Sequence, residues 1–160
     1  MSLKNKIIGV AAEKIVFPGR SLCRCEDGIA LFTEGLLPGE TAQVLVIKDK
    51  KSFREGIVKN ITLKSPERTE PVCPSFGKCG GCSFQNVSYA CQIKYKKEYI
   101  DEILSIFGVK IAGLIQSPEI WNYRNKMEFS FFGEGSAGND AARSDLGLHC
   151  RGSFNRYVWA

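Results

Sequence analysis

No stretch of the chain approaches the ~20 consecutive apolar residues that a membrane-crossing helix needs, which excludes a helical membrane protein. The N-terminal Met1-Ser-Leu-Lys-Asn-Lys run has neither the apolar core nor the small-residue cleavage site of an export signal. The expectation is a cytoplasmic protein without membrane association. No internal repeat is present, and no glycine-rich strand–turn–helix motif of the kind that cradles a nucleotide. There is a single histidine, His149. Its position in a strand-like run fits a partly exposed sheet residue better than a metal ligand.

Cysteine, by contrast, is abundant. The chain has 7 cysteines in 160 residues, an odd count that suits a disulfide framework poorly. In a reducing compartment, clustered cysteines more often hold metal. Cys73, Cys79 and Cys82 lie in Cys73-Pro-Ser-Phe-Gly-Lys-Cys79-Gly-Gly-Cys82, a C-x5-C-x2-C spacing. It puts three thiolates on one loop, as an iron–sulfur cluster or a zinc ion requires. Gly80 and Gly81 let the backbone turn sharply around such a group. Inert core cysteines and a structural zinc remain open on spacing alone. The formal net charge of +5 permits a polyanionic partner without demanding one.

The first sixty-odd residues read as short strands with turn signals between them. Lys14 to Phe17 runs into Pro18-Gly19, and Leu22 to Cys25 into Glu26-Asp27-Gly28. Ile29 to Thr33, Thr41 to Lys48 and Phe53 to Leu63 follow. Thr41 to Lys48 is apolar on both faces and reads as a central strand. Even, close spacing predicts a small closed barrel. Ser65 to Pro71 is a polar, proline-bounded linker, which sets a domain boundary between residues 67 and 68. Ser88 to Phe107 reads as a helix with an apolar stripe of Tyr89, Ile93, Ile100, Ile103, Leu104 and Phe107. Ser88 or Asn86 caps its start and Gly108 ends it. Lys94, Lys96 and Lys97 fall on its solvated face. Tyr123 to Phe131 alternates as a half-buried strand, with Tyr123, Met127, Phe129 and Phe131 opposite Arg124, Lys126, Glu128 and Ser130. Gly133 to Asp145 reads as a loop, and Leu146 to Trp159 as a strand or pair of strands. The apolar, aromatic end at Tyr157-Val-Trp-Ala160 reads as the cut edge of something longer. The fold class expected is α+β, mainly β: an OB-like five-stranded barrel over 1–67 and a small α+β cysteine-rich domain over 68–160.

Several of these segments together resemble one family. Ser65-Pro-Glu-Arg68, the cysteine run, Gln92-x-x-x-Lys96 and Trp121-x-Tyr123-Arg124-Asn125-Lys126 are similar to the S-adenosylmethionine-dependent RNA 5-methyluridine methyltransferases. Asp27-Gly28-x-x-x-Phe32 and Leu37-Pro38-Gly39-Glu40 are similar to the TRAM domain that precedes the iron–sulfur domain in the branch acting on large-subunit ribosomal RNA. The resemblance implies a parent enzyme with a [4Fe-4S] cluster on four cysteines, the first three matched by Cys73, Cys79 and Cys82. The fourth is expected just past Ala160; Cys150 is near but out of register. Cys91 falls on the helix, and Cys23 and Cys25 in the barrel. The cluster's implied role is structural, cross-linking a domain with little core of its own.

The resemblance also implies RNA as partner, ribosomal RNA first and transfer RNA second, with no obligate protein partner. Arg20, Arg24, Lys48, Lys50, Lys51 and Arg54 are the barrel's candidate contacts, the last three clustering around Phe53 at a hairpin tip. Arg124 and Lys126, two residues apart, can grip successive phosphates beside Tyr123. The competing reading is a zinc-binding interaction module with no methyltransferase parent. An electron-transfer protein would supply all its ligands itself. The radical enzymes that share TRAM domains carry C-x3-C-x2-C instead.

In this family a cysteine nucleophile adds to the sixth ring carbon of uracil, and a base later removes the proton from the fifth. None of the seven cysteines matches that nucleophile, and no methyl-donor motif is present. The chain alone is therefore expected to be inactive. Incubation with uridine-containing RNA and a radiolabelled methyl donor should leave the RNA unlabelled; incorporated label would overturn this expectation.

Overall fold

The computed structural model describes residues 2–132, 145–153 and 156–159. Two compact units divide it, one formed by 1–70 with 86–116, the other by 71–85 with 117–160. The division does not follow a single cut after residue 67, because the helix groups with the barrel.

The first unit is a closed five-stranded barrel plus one helix. Strands β1 (Ile7–Val16), β2 (Arg20–Arg24), β3 (Ala30–Glu34), β4 (Thr41–Asp49) and β5 (Phe53–Leu63) close in the order β1-β2-β3-β5-β4. All pairings are antiparallel except β3 with β5. This is an OB-like barrel, and closure removes the free sheet edges. The sequence reading placed four of the five strands to within a residue or two. It began the first strand at Lys14, seven residues late, because the Ile7-Ile-Gly-Val-Ala-Ala start alternates weakly.

Alternation decides what is inside. Val10, Ala12, Cys23, Cys25, Leu31, Leu36, Ala42, Val44 and Val46 form the core. Strand β4 buries only its Ala42, Val44, Val46 row, whereas Ile47 is exposed. A two-faced central strand is thus replaced by a barrel strand with one inner and one outer face. Burial pushes the Cys23 thiol up to about 12, so it stays protonated and acts as a small hydrophobe. Gly56 of β5 packs tightly against β4: a Cβ there would lie 2.3 Å from Val44 Cγ1 and 3.0 Å from the Leu45 carbonyl oxygen.

Glu40 fastens the barrel to the segment that leaves it. Its fully buried carboxylate accepts hydrogen bonds from Leu37 N (2.8 Å), Ser65 N (3.1 Å), and Arg68 Nε and Nη2 (both 2.6 Å). Arg68 also donates to the Gly35 carbonyl at 2.5 Å. An antiparallel bridge pairs Arg68 with Val87, and Thr69 N donates to the Asn86 carbonyl. The two ends of segment 71–85 therefore leave and re-enter the first unit side by side.

Helix α1 (Tyr89–Ser105) is capped by Ser88, whose hydroxyl accepts from Cys91 N. The expected apolar stripe is only partly buried, with Tyr89, Ile93, Ile100 and Leu104 half-buried. Tyr95 is the buried residue, with its hydroxyl bonded to Glu67, while Ile103 and Phe107 are exposed. The helix meets β1 through Phe17 stacked on Tyr99 (5.9 Å) and Lys14 paired with Glu102 (2.5 Å). Polar and aromatic contacts from Tyr95, Tyr99 and Glu102 thus join the half-buried stripe in holding the helix.

In the second unit, β6 (Ser130–Phe132), β7 (Asp145–His149) and β8 (Tyr157–Trp159) form an antiparallel sheet. The strand expected over 123–131 is reduced to its last two residues and Phe132. The β6–β7 register spans only three residue pairs, so among the described residues the alternating run before Ser130 has no strand partner, and alternation without a partner does not make a strand. Of the expected loop over 133–145, residues 133–144 lie outside the described residues and Asp145 begins β7. No helix among the described residues is long and apolar enough to cross a membrane.

The buried Glu40 pair carries a pH signature. Burial pushes the carboxyl up, but the Arg68 guanidinium and the two backbone N–H donors outweigh it and hold Glu40 below its ordinary 4.5. A depressed carboxyl stabilises the fold fully above the unfolded value and loses that contribution as pH falls through the folded one. Arg68→Ala, which leaves the charge buried and unpaired, should destabilise the first unit by about 3–5 kcal/mol in urea unfolding at neutral pH. Glu40→Gln should lower the neutral-pH Tm and flatten its fall below pH 4.5. Wild-type stability at both positions would refute the fastening role.

Candidate functional site

The cysteine loop is built from tight turns. Phe76 N donates to the Cys73 carbonyl (3.1 Å), and Lys78 N and Cys79 N to the Ser75 carbonyl (3.1 and 2.9 Å). Gly77 sits at φ 83°, in the left-handed region that favours glycine. Cys73 N donates to Gln85 Oε1 at 3.1 Å, tying the loop's start to its end. Gly81 N donates to Cys79 Sγ at 3.3 Å, an N–H to sulfur hydrogen bond. A Cβ on Gly81 would stand 3.4 Å from that sulfur.

The tight arm is braced within the same unit. Gly80 N donates to the His149 carbonyl (3.1 Å) and Arg151 N to the Lys78 carbonyl (2.8 Å), which flank a bridge between Cys79 and Cys150. Those two bonds make Cys79 and Cys150 a directly opposed, non-hydrogen-bonded pair, the arrangement that sets side chains on one face and closest together. Arg124 Nη2 donates to the Gly81 carbonyl at 2.7 Å, and the Arg151 guanidinium to the Cys82 carbonyl. Two cations thus border the cysteine arm, where an anionic thiolate set gains from them. Ser130 Oγ and His149 Nε2 lie 2.9 Å apart, and the His149 ring packs on Tyr157. That is the sheet role expected of His149.

Cys73, Cys79, Cys82, Cys91 and Cys150 are all partly exposed, and Cys23 and Cys25 are buried in the barrel. The donor set fits an iron–sulfur or zinc group in kind: thiols, a sulfur-directed N–H and neighbouring guanidiniums. Its sulfurs are not yet gathered, since no three His, Cys, Asp or Glu side chains among the described residues converge closely enough to hold a metal ion.

The predicted RNA contacts separate into distinct environments. Lys50 and Lys51 are exposed at the β4–β5 turn. Arg54 points the other way. Its buried guanidinium makes a fork on Asp27 (2.8 and 2.7 Å) and donates from Nε to Asp49 at 2.9 Å. Hydrogen bonds from Arg54 hold the Asp27 carboxyl below its usual range; for Asp49 the Leu3 amide contributes first and Arg54 next. Odd-numbered positions of β5 face out near the turn, and Arg54 falls on the inner row, which clustering in the sequence hides. Arg24 pairs with Glu13 at 3.1 Å. Tyr123 is exposed, Lys126 pairs with Glu128 in solvent at 2.7 Å, and Arg124 is the one that reaches the cysteine arm.

No protein-family model matches the chain. It is 39% identical over 154 residues to an uncharacterized RNA methyltransferase of Caldanaerobacter subterraneus, covering 94% of this chain and 33% of that protein. The 23S rRNA (uracil(1939)-C(5))-methyltransferase RlmD of Legionella pneumophila is 39% identical over 115 residues, covering 70% of this chain and 26% of its own length. The corresponding enzyme of Cronobacter sakazakii is 38% identical over 126 residues, covering 79% and 28%. The chain belongs to the RNA methyltransferase family and spans about a third or less of the length of the curated relatives it matches.

The geometry separates fold contacts from candidate RNA contacts. Arg54→Ala should lower the Tm by roughly 5 °C or more, since it strands two carboxylates. Lys50→Gln with Lys51→Gln should leave the Tm unchanged. Equal thermal shifts for the two variants would contradict the inward assignment of Arg54.

Proposed function

We propose that this chain is the RNA-binding, iron–sulfur-bearing part of an S-adenosylmethionine-dependent RNA uracil-C5 methyltransferase that acts on large-subunit ribosomal RNA in the cytoplasm. The observation that carries the reading is the cysteine loop, which lies within a 154-residue match to a named RNA methyltransferase. The names of the Legionella and Cronobacter relatives supply the 23S rRNA and the uracil. The barrel takes the TRAM role and binds RNA, and no obligate protein partner is invoked.

Cys73, Cys79 and Cys82 would hold a [4Fe-4S] cluster through their thiolates. When bound, the cluster supplies a cross-link for a segment with little apolar core. The chain's own residues prepare that site. Gly81 N donates a hydrogen bond to Cys79 Sγ, and Arg124 holds the Gly81 carbonyl, which orients the peptide unit leading into Cys82. In the resembled family a fourth thiolate completes the set. Methyl transfer belongs to other motifs of such an enzyme, which is why the chain is assigned binding and structural roles.

Anaerobic purification of single variants tests the ligand assignment. Cys79→Ser should remove most of the iron and the visible absorbance, while Cys91→Ser, on the helix, should retain both. Equal iron in the two variants, or zinc in place of iron, would overturn the cluster and favour the zinc module.

A further inference from the structure

The outer face of the barrel carries an aromatic arrangement that the core does not need. Phe32 of β3 and Phe53 of β5 lie on outward positions, between inward Leu31, Thr33 and Arg54. Their rings meet edge to face with centroids 6.2 Å apart. Each ring has its own cation: Arg20 Cζ lies 5.2 Å from the Phe32 centroid, and Lys48 Nζ 5.3 Å from that of Phe53. Glu55, between them on β5, reaches Arg20 Nη2 at 3.6 Å and Lys48 Nζ at 3.5 Å. These are loose ion pairs, which steady the two cations without consuming their donors. All five side chains stay partly exposed. The acidic neighbours are Glu55 and Glu34, the latter opposite Arg20 in register; exposed Lys50 and Lys51 follow on the adjoining turn.

From this juxtaposition we propose that Phe32 and Phe53, flanked by Arg20 and Lys48, form a stacking platform for unpaired RNA bases on the β2–β3–β5–β4 face. The proposal rests on the RNA-binding reading above and gives it a location. Every base has a π-face, so aromatic rings hold single strands with little sequence preference, and adjacent cations follow the backbone. Guanidinium and ammonium groups already seated at the rings can turn to a phosphate while remaining at hand. Lys50 and Lys51 extend the path beyond the rings. The platform takes splayed, single-stranded or looped RNA; a paired helix offers no base faces to it.

The test uses the full chain and a fluorescently labelled oligouridine of roughly 12 nucleotides, followed by anisotropy. Phe32→Leu and Phe53→Leu keep apolar bulk and remove the ring. Each should weaken binding about tenfold, with an unchanged melting temperature. Arg20→Gln and Lys48→Gln should each reduce the slope of log affinity against log salt by about 0.7. Wild-type RNA affinity in both leucine variants would overturn the platform and leave RNA binding to be placed elsewhere on the chain. Failure of the unmodified chain to bind the oligouridine would instead overturn the RNA-binding reading, and the platform with it.

Discussion

The buried carboxylate of Glu40 is the constraint on which the first unit is organised. Two of its hydrogen bonds come from backbone amides on either side of a long sequence gap, and two from one guanidinium. Taking a carboxylate out of water is costly, and only a full set of donors offsets that cost. Leu37-Pro38-Gly39-Glu40 and Ser65-Pro66-Glu67-Arg68 look like separate motifs in the sequence. In the structure they are one hydrogen-bonded unit, since Glu40 needs both Ser65 and Arg68, and Gly39 at φ 82° shapes the turn that delivers it. The same linker run then docks the helix, because Glu67 accepts from the Tyr95 hydroxyl and from Lys94 Nζ.

In the chain, this clasp lies directly before the cysteine segment, and Val87 directly after it. Arg68 and Val87 bridge at its base, so residues 71–85 form an excursion whose ends are fixed in the first unit. A loop with pinned ends loses less conformational entropy when it binds an ion or cluster than a free one does. Inside the excursion, turns and the Gln85 tie shape the strand of chain that carries Cys73, Cys79 and Cys82. A Cβ at residue 80 or 81 would meet only ordinary van der Waals contact, with the His149 carbonyl and Cys79 Sγ each 3.4 Å away, and the left-handed turn expected at these glycines falls at Gly77 instead.

Much of the barrel was legible because turn signals and alternation are local. Glu26-Asp27-Gly28 and the Thr41 to Asp49 alternation announce their strands directly. The cysteine spacing was legible for the same reason. What failed depends on partners distant in sequence. Tyr123 to Phe129 alternates as well as any strand here, yet β7 offers bonds only to Ser130–Phe132. The helix stripe is only half-buried, and the buried Tyr95 lies off it, bonded to Glu67. Arg54 looked like part of a basic tip; the parity of its strand turned it inward to Asp27 and Asp49. Phe32, Phe53, Arg20 and Lys48 come from four strands, so no window of sequence shows them as neighbours.

The central claim is that the cysteine loop holds an iron–sulfur cluster in a chain of the RNA methyltransferase family. Native mass spectrometry of the anaerobically purified chain tests it most directly, because it reads metal and sulfide on the intact protein together. The account predicts a species heavier than the apo chain by four irons and four sulfides, lost on exposure to air. A species carrying a single zinc and no sulfide would contradict it.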